Sequence, residues 1–282
     1  MKFNFNFSTI LILMSLLITP SCFEHQCIHS VKNFDLLEKE IPNLDNNTLV
    51  IFDIDETLLT RKDKLLRTPL VTTKYAKMIP KDKFFPAFSR AFKEGKFELT
   101  NKKLPELIER IKSTSAKIIA LTNVTSGSLG VIESYPDFRV RECAQFGFDF
   151  SNSFPHIKTL EIPTLQQTLN GKFPLFKNGI ICTNGVSKET VLMAFLRQIK
   201  WKPKKVIFID DLKEYVEKIA DVMKKENIDF LGLHYVKHKD RSKDVNEKVS
   251  DIQFKYLIEK DIWLSDDEAA QLLESKQKEG NL

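Results

Sequence analysis

The sequence predicts an α/β fold: a doubly wound, mainly parallel sheet with helical and mixed cap insertions. Three observations carry the prediction. Several short runs are almost continuously apolar and rich in β-branched residues, as strands buried on both faces are. Amphipathic segments with helical spacing lie between them. Finally, polar residues stand at the carboxyl ends of three of the runs, at Asp53, Thr122 and Asp210, where open α/β sheets bind their ligands.

The elements follow in order. Val31 to Ile41 reads as an amphipathic helix with Phe34, Leu36, Leu37 and Ile41 near one face. Thr48–Ile54 (TLVIFDI) is a buried strand ending in acids. Leu104–Ile111 is a helix with Pro105 in its first turn, where the missing N–H costs nothing. Lys117–Thr122 (KIIALT) and the short run Gly179–Cys182 are strands. Ser187 is placed to cap a helix whose face carries Val191, Leu192, Phe195, Leu196 and Ile199. Lys205–Ile209 (KVIFI) is a strand ending at Asp210 and Asp211, followed by a helix from about Leu212 to Lys225 and a strand at Phe230–Leu233. Beyond Ser250 the chain reads as two short helices, Asp251–Ile258 and Ser265–Glu274.

This divides the chain into an α/β core over residues 30–245 and a helical tail over 250–282. Two stretches interrupt the alternation. Residues 61–97 are basic and Phe-rich, with Phe85, Phe88 and Phe92 at helical spacing, and read as a small helical insertion that packs those rings. Residues 126–177 carry short aromatic pieces around Phe146, Phe148 and Phe150. Both lie between strands that end in polar residues, so both are placed to fold over a cleft.

The N-terminus reads as an address. Lys2 precedes an apolar run from Phe7 to Ile18 and a small-residue exit at Thr19, Pro20 and Ser21. That is the pattern of a signal peptide over residues 1–21, and the run falls short of the ~20 residues of a membrane span. Export to the periplasm or outside the cell is expected. Cys22 directly follows Ser21, as the lipidated Cys of a bacterial lipoprotein follows its signal. A lipid anchor at Cys22 and a local Cys22–Cys27 bridge both stay open.

Composition excludes several classes. Hydrophobic residues make up 42% of the 282, so the chain is not disordered. Four Cys are too few for a disulfide scaffold, and without a Cys-x-x-Cys or His cluster no zinc site is expected. A net charge of +5, spread along the chain, is not the concentrated footprint of a nucleic-acid binder.

The chemistry concentrates in a few residues. Asp53-Ile54-Asp55-Glu56-Thr57 follows an apolar run. A buried carboxylate at Asp53 calls for a cation or an acid partner to offset its burial. Asp55, two residues on, shares its strand face, so the pair can divide the work of nucleophile and acid/base. Asp210-Asp211 is a second acidic site after an apolar run. Carboxylates without Cys or His favour a hard cation, of which Mg²⁺ is the usual one beside phosphate. Thr122 and Asn123 offer polar groups at a strand end, and Lys188 adds its charge at a helix N-terminus, which suits a phosphate.

In this order the four elements resemble the haloacid dehalogenase-like (HAD) phosphohydrolase superfamily: DIDET at Asp53–Thr57, Thr122, Lys188, then IDD at Ile209–Asp211. The resemblance covers Leu49 to Leu233 and implies a Rossmann-like HAD core. It implies that Asp53 is the nucleophile forming an aspartyl-phosphate and a Mg²⁺ ligand. Asp55 would be the general acid/base, with its backbone carbonyl on the metal. Thr122 and Lys188, with Asn123 beside them, would bind phosphate, and Asp210 and Asp211 would hold the metal. The expected function is an exported Mg²⁺-dependent phosphatase acting on a small phosphorylated substrate. A non-catalytic secreted binding or host-interaction protein, and a phosphotransferase with an acceptor other than water, are the alternatives. The sequence departs from the family at Tyr215, where members often carry Asn.

Overall fold

The computed structural model describes residues 26–68, 70–166, 168, 170–236 and 244–279. The signal-peptide reading and Cys22 lie outside the described residues.

In chain order the elements are β1 (Gln26–Val31), α1 (Asp35–Glu40), β2 (Thr48–Phe52), β3 (Leu59–Arg61), α2 (Leu70–Thr73), α3 (Phe84–Glu94), β4 (Phe97–Leu99), α4 (Leu104–Lys112), β5 (Lys117–Thr122), α5 (Tyr135–Gln145), β6 (Thr159–Glu161), β7 (Leu175–Lys177), β8 (Ile180–Cys182), α6 (Lys188–Gln198), β9 (Lys205–Asp210), α7 (Lys213–Lys225), β10 (Asp229–Tyr235), α8 (Glu247–Lys260) and α9 (Asp266–Glu279). Eight strands form one sheet in the order β1-β10-β9-β2-β5-β8-β7-β6, and β3 pairs with β4 in a separate two-stranded ribbon. From β1 to β8 the pairing is parallel, and β7 and β6 close the sheet antiparallel. The α/β class with a mainly parallel central sheet is therefore as the sequence reads.

Strand alternation sorts the core into two faces. Val50, Phe52, Ile118, Ala120, Ile207 and Ile209 pack with α1, α4 and α5 on one side. Leu49, Ile51, Ile119, Leu121, Val206 and Phe208 pack with α6 and α7 on the other. Both faces are covered, which is why these strands carry no polar alternation.

Three local readings differ. Val31 ends a strand rather than opening a helix, and α1 begins only at Asp35. β1 is a sheet edge whose central residues are exposed, so QCIHSV carries no apolar run to betray it. Ser187 stands at the N-cap of α6, yet its hydroxyl pairs with Thr190 Oγ1 at 2.8 Å and caps no backbone N–H. In the 61–97 stretch the contacting series is Phe84, Phe88 and Phe92, with ring centroids 5.4 and 4.7 Å apart, while Phe85 faces solvent. The four-residue step of the first series keeps those rings on one helix face.

The two interrupting stretches end in different places. Residues 61–97 supply α2 and α3 between the two ribbon strands β3 and β4, and their apolar side chains join those of α8 and Trp263 in a separate core. Residues 126–177 supply α5, and their β6 and β7 lengthen the main sheet. The β7–β8 hairpin turns on Asn178 and Gly179, both at positive φ, as a two-residue primed turn requires. A Cβ on Gly179 would also come within 2.3 Å of the Phe150 carbonyl oxygen.

Candidate active site

β2 and β9 lie side by side and end level with each other, and this register builds the site. Asp53 follows β2 directly, and its N–H donates to the Ile209 carbonyl at 2.9 Å, so the ladder continues one residue past the strand. Asp210 ends β9, and its Oδ1 accepts the Leu212 N–H at 2.8 Å, turning the chain toward α7. Asp53 is 5% exposed and Asp210 is fully buried.

Lys188, the first residue of α6, reaches between them. Its Nζ donates to Asp53 Oδ1 at 2.6 Å and to Asp210 Oδ2 at 2.7 Å. The ammonium also lies 4.7 Å from the centroid of the Tyr215 ring. The residue that departs from the HAD pattern thus places a π face against the site's cation. Asp211 completes the group: carboxylate oxygens of Asp53, Asp210 and Asp211 lie within 4.8 Å of one another. Three carboxylates against one ammonium leave an excess of negative charge, and an all-oxygen donor set of this kind fits a hard cation.

The electrostatics follow. Burial, reinforced by the neighbouring carboxylates, raises the pKa of Asp53 well above the usual carboxylate value, against the pull of Lys188. Burial and the adjacent Asp210 push Asp211 up to about 7. Burial works against the Lys188 ammonium, but Asp53 and Asp210 more than offset it, so its pKa stands above the ordinary lysine value.

Thr122 ends β5, on the opposite side of β2 from β9, and is buried. Its carbonyl accepts the Thr183 N–H at 3.0 Å. Asn123 is exposed, and its side-chain oxygen is taken by Thr183 Oγ1 at 2.8 Å and the Gly185 N–H at 3.2 Å. Asn123 therefore braces the loop that leads into Lys188. Asn184 and Gly185 in that loop take positive φ. The buried Asn184 side chain donates to Asn170 Oδ1 and the Lys172 carbonyl, both at 2.7 Å, which ties the loop to the 126–177 stretch.

Asp55 lies in the loop past the end of β2, outside the group formed by Asp53, Asp210 and Asp211. Its side chain is 51% exposed and pairs with Arg139 of α5, Nη2 to Oδ2 at 2.7 Å. Arg139 is wholly buried and donates through Nη1 to Glu142 Oε2 at 2.8 Å. Sequence reasoning missed this helix and its charges. Ser134, which accepts the Asp137 N–H, and Pro136 in the first turn were the available signal.

A family model matches residues 30–270. The chain belongs to DUF2608, a family of proteins of unknown function. This DUF2608 chain is 23% identical over 243 residues to an uncharacterized protein of Rickettsia prowazekii, covering 84% of this chain and 87% of that one. An uncharacterized protein of Rickettsia felis is 30% identical over 146 residues, half of this chain and 48% of its own length. A Chlamydia trachomatis protein named "Putative outer membrane protein" is 23% identical over 253 residues, 86% of this chain and 90% of that one. No solved structure matches. Among the described residues no helix is long and apolar enough to cross a membrane.

Proposed function

We propose that this DUF2608 protein is an exported, Mg²⁺-dependent phosphatase with a HAD-type core, hydrolysing a small phosphomonoester through an aspartyl-phosphate at Asp53. The observation that carries the reading is the convergence of Asp53, Lys188 and Asp210 at the carboxyl ends of two adjacent parallel strands. The HAD motif order supplies the roles. Export rests on the apolar N-terminal run and on the name of the Chlamydia relative.

In the first half-reaction an Asp53 carboxylate oxygen attacks phosphorus, the bond from phosphorus to the ester oxygen breaks, and Asp55 gives that oxygen a proton. In the second, Asp55 takes a proton from water as the water oxygen attacks phosphorus and the bond to Asp53 breaks, releasing inorganic phosphate. Lys188 holds one Asp53 oxygen and brings positive charge to the transferring group. Thr122 and the Asn123-braced loop line the phosphate end. Asp53, Asp210 and Asp211, with the Asp55 carbonyl, would hold Mg²⁺, which would supply further neutralisation of the phosphoryl charge.

The experiment is turnover of p-nitrophenyl phosphate by the mature protein with and without Mg²⁺, for wild type and Asp53→Asn. Mg²⁺-dependent turnover that disappears in the variant, with an unchanged fold, is expected. Turnover that survives Asp53→Asn, or a wild type inert toward this ester and a panel of phosphorylated metabolites, would overturn the reading.

A further inference from the structure

Asp55 belongs to a second charged cluster that the phosphatase motifs do not include. Arg139 of α5 is shared between Asp55 at 2.7 Å and Glu142 at 2.8 Å. Glu142 Oε1 lies 3.8 Å from Arg61 Nη2. Arg61 in turn donates to the carbonyls of Phe92 and Gly95, at 2.5 and 2.9 Å. The Phe97 ring lies against both cations, 3.6 Å from the Arg61 guanidinium carbon and 5.7 Å from that of Arg139. Arg61, Arg139 and Glu142 are buried, and Asp55 is the one member of the four that reaches solvent.

Two features argue that more than packing is involved. Two buried guanidiniums, Arg61 and Arg139, need close charge compensation, and the one buried carboxylate between them, Glu142, is shared by both. The second carboxylate is the residue two positions past Asp53. Moreover, Arg139 engages only Oδ2 of Asp55, which leaves the other oxygen uncommitted to it, and it divides its charge between two acids. The cluster also spans three elements, α5, the β3–β4 ribbon and the loop after β2, so Asp55 is held by parts of the molecule that the insertions supply.

We propose that Arg139 is a positioning residue: it holds the Asp55 carboxyl where it serves as proton donor to the leaving group. This rests on the phosphatase reading above and deepens it. Asp55 transfers its proton as the ester bond breaks, so its placement matters most when the leaving oxygen is basic and least when the leaving group departs readily as an anion.

The test compares kcat/KM for phenyl phosphate and p-nitrophenyl phosphate in wild type, Arg139→Met, Arg139→Lys and Asp55→Asn, each checked by thermal melting. Arg139→Met should lower the phenyl phosphate value about a hundredfold and the p-nitrophenyl phosphate value about fivefold or less. Asp55→Asn should show the same bias, and Arg139→Lys should recover part of it. Should Arg139→Met fail to fold because Glu142 is left with Arg61 alone, Arg139→Gln keeps a hydrogen-bond donor beside Glu142 and should show the bias. Arg139→Lys should also differ from wild type in the same direction. An equal fall on both esters in the folded variants, or no change in any of them, would overturn the proposal while leaving the phosphatase reading standing. A wild type inert on both esters would overturn the phosphatase reading and this proposal with it.

Discussion

Asp53 and Asp55 are two residues apart, yet they belong to differently built regions. Asp53 sits in the sheet, where β2, β9 and the start of α6 bring it, Asp210 and Lys188 within hydrogen-bonding reach. Asp55 sits in the loop beyond, held by Arg139 of α5 in the second interrupting stretch and, through Glu142 and Arg61, by the ribbon. The first region is fixed by continuous strands and one buried ammonium. The second depends on how the insertions pack. On the proposed function, charge handling and proton handling are anchored separately, so substitutions should separate them.

The largest effect is expected on the sheet side. Lys188→Met leaves Asp53, Asp210 and Asp211 facing one another without a cation. Removing one partner of a buried pair costs about 3–5 kcal/mol, so melting should show a large loss of stability together with loss of turnover. Because Mg²⁺ offsets the same excess charge, it should restore part of the stability and none of the turnover. A variant that melts as wild type does would break the claim that Lys188 holds this region together.

The next effect is on pH. Asp211 titrates at about 7 in the folded protein, well above its ordinary value. A cation must displace that proton, so Mg²⁺ affinity should fall about tenfold from pH 8 to pH 6, with proton release visible by calorimetry in buffers of different ionisation heat. The metal-free protein should respond oppositely. A carboxyl whose folded pKa is raised favours the folded state at low pH and loses that contribution as pH rises from the ordinary carboxylate range through 7. Asp53, raised in the same direction, adds to this trend. A metal affinity flat over this range would show that Asp211 is not part of the cation site.

The smallest effect concerns the helix that carries Arg139. Ser134→Ala removes the hydroxyl that accepts the Asp137 N–H at the N-terminus of α5. A lost cap costs about 1 kcal/mol, readable as a modest drop in melting temperature. The leaving-group bias should stay near that of wild type, because the pairing of Arg139 with Asp55 lies about one and a half turns of helix away from the cap. A large bias from this cap alone would mean that α5 as a whole, rather than Arg139, governs Asp55.

The same division explains what could be read from the sequence. β2, β5 and β9 are nearly unbroken apolar runs because helices cover both of their faces, and their last residues mark the cleft. Asp53, Thr122, Lys188 and Asp210 were therefore legible as strand-end or helix-start positions. β1 was not, since an exposed edge strand has no apolar signature. Nor was α5, whose buried side includes Arg139 and Glu142, so its inward face looks charged and the helical period of apolar residues fails. Asn178-Gly179 was a readable hairpin signal. Yet the three-residue strands around it, and the way β6 and β7 extend the sheet, follow from tertiary packing. The partnership of α8 with the 61–97 stretch joins segments far apart in sequence through Phe254, Leu257 and Trp263, which no local pattern announces.

The most direct test of the central claim is chemical trapping on Asp53 itself. The mature protein is mixed with Mg²⁺ and p-nitrophenyl phosphate, quenched in acid and treated with borohydride, which reduces an acyl phosphate to an alcohol. Peptide mass spectrometry should then find homoserine at position 53, dependent on substrate. Reduction at another carboxylate, or none at position 53 in a protein that turns the ester over, would contradict the account.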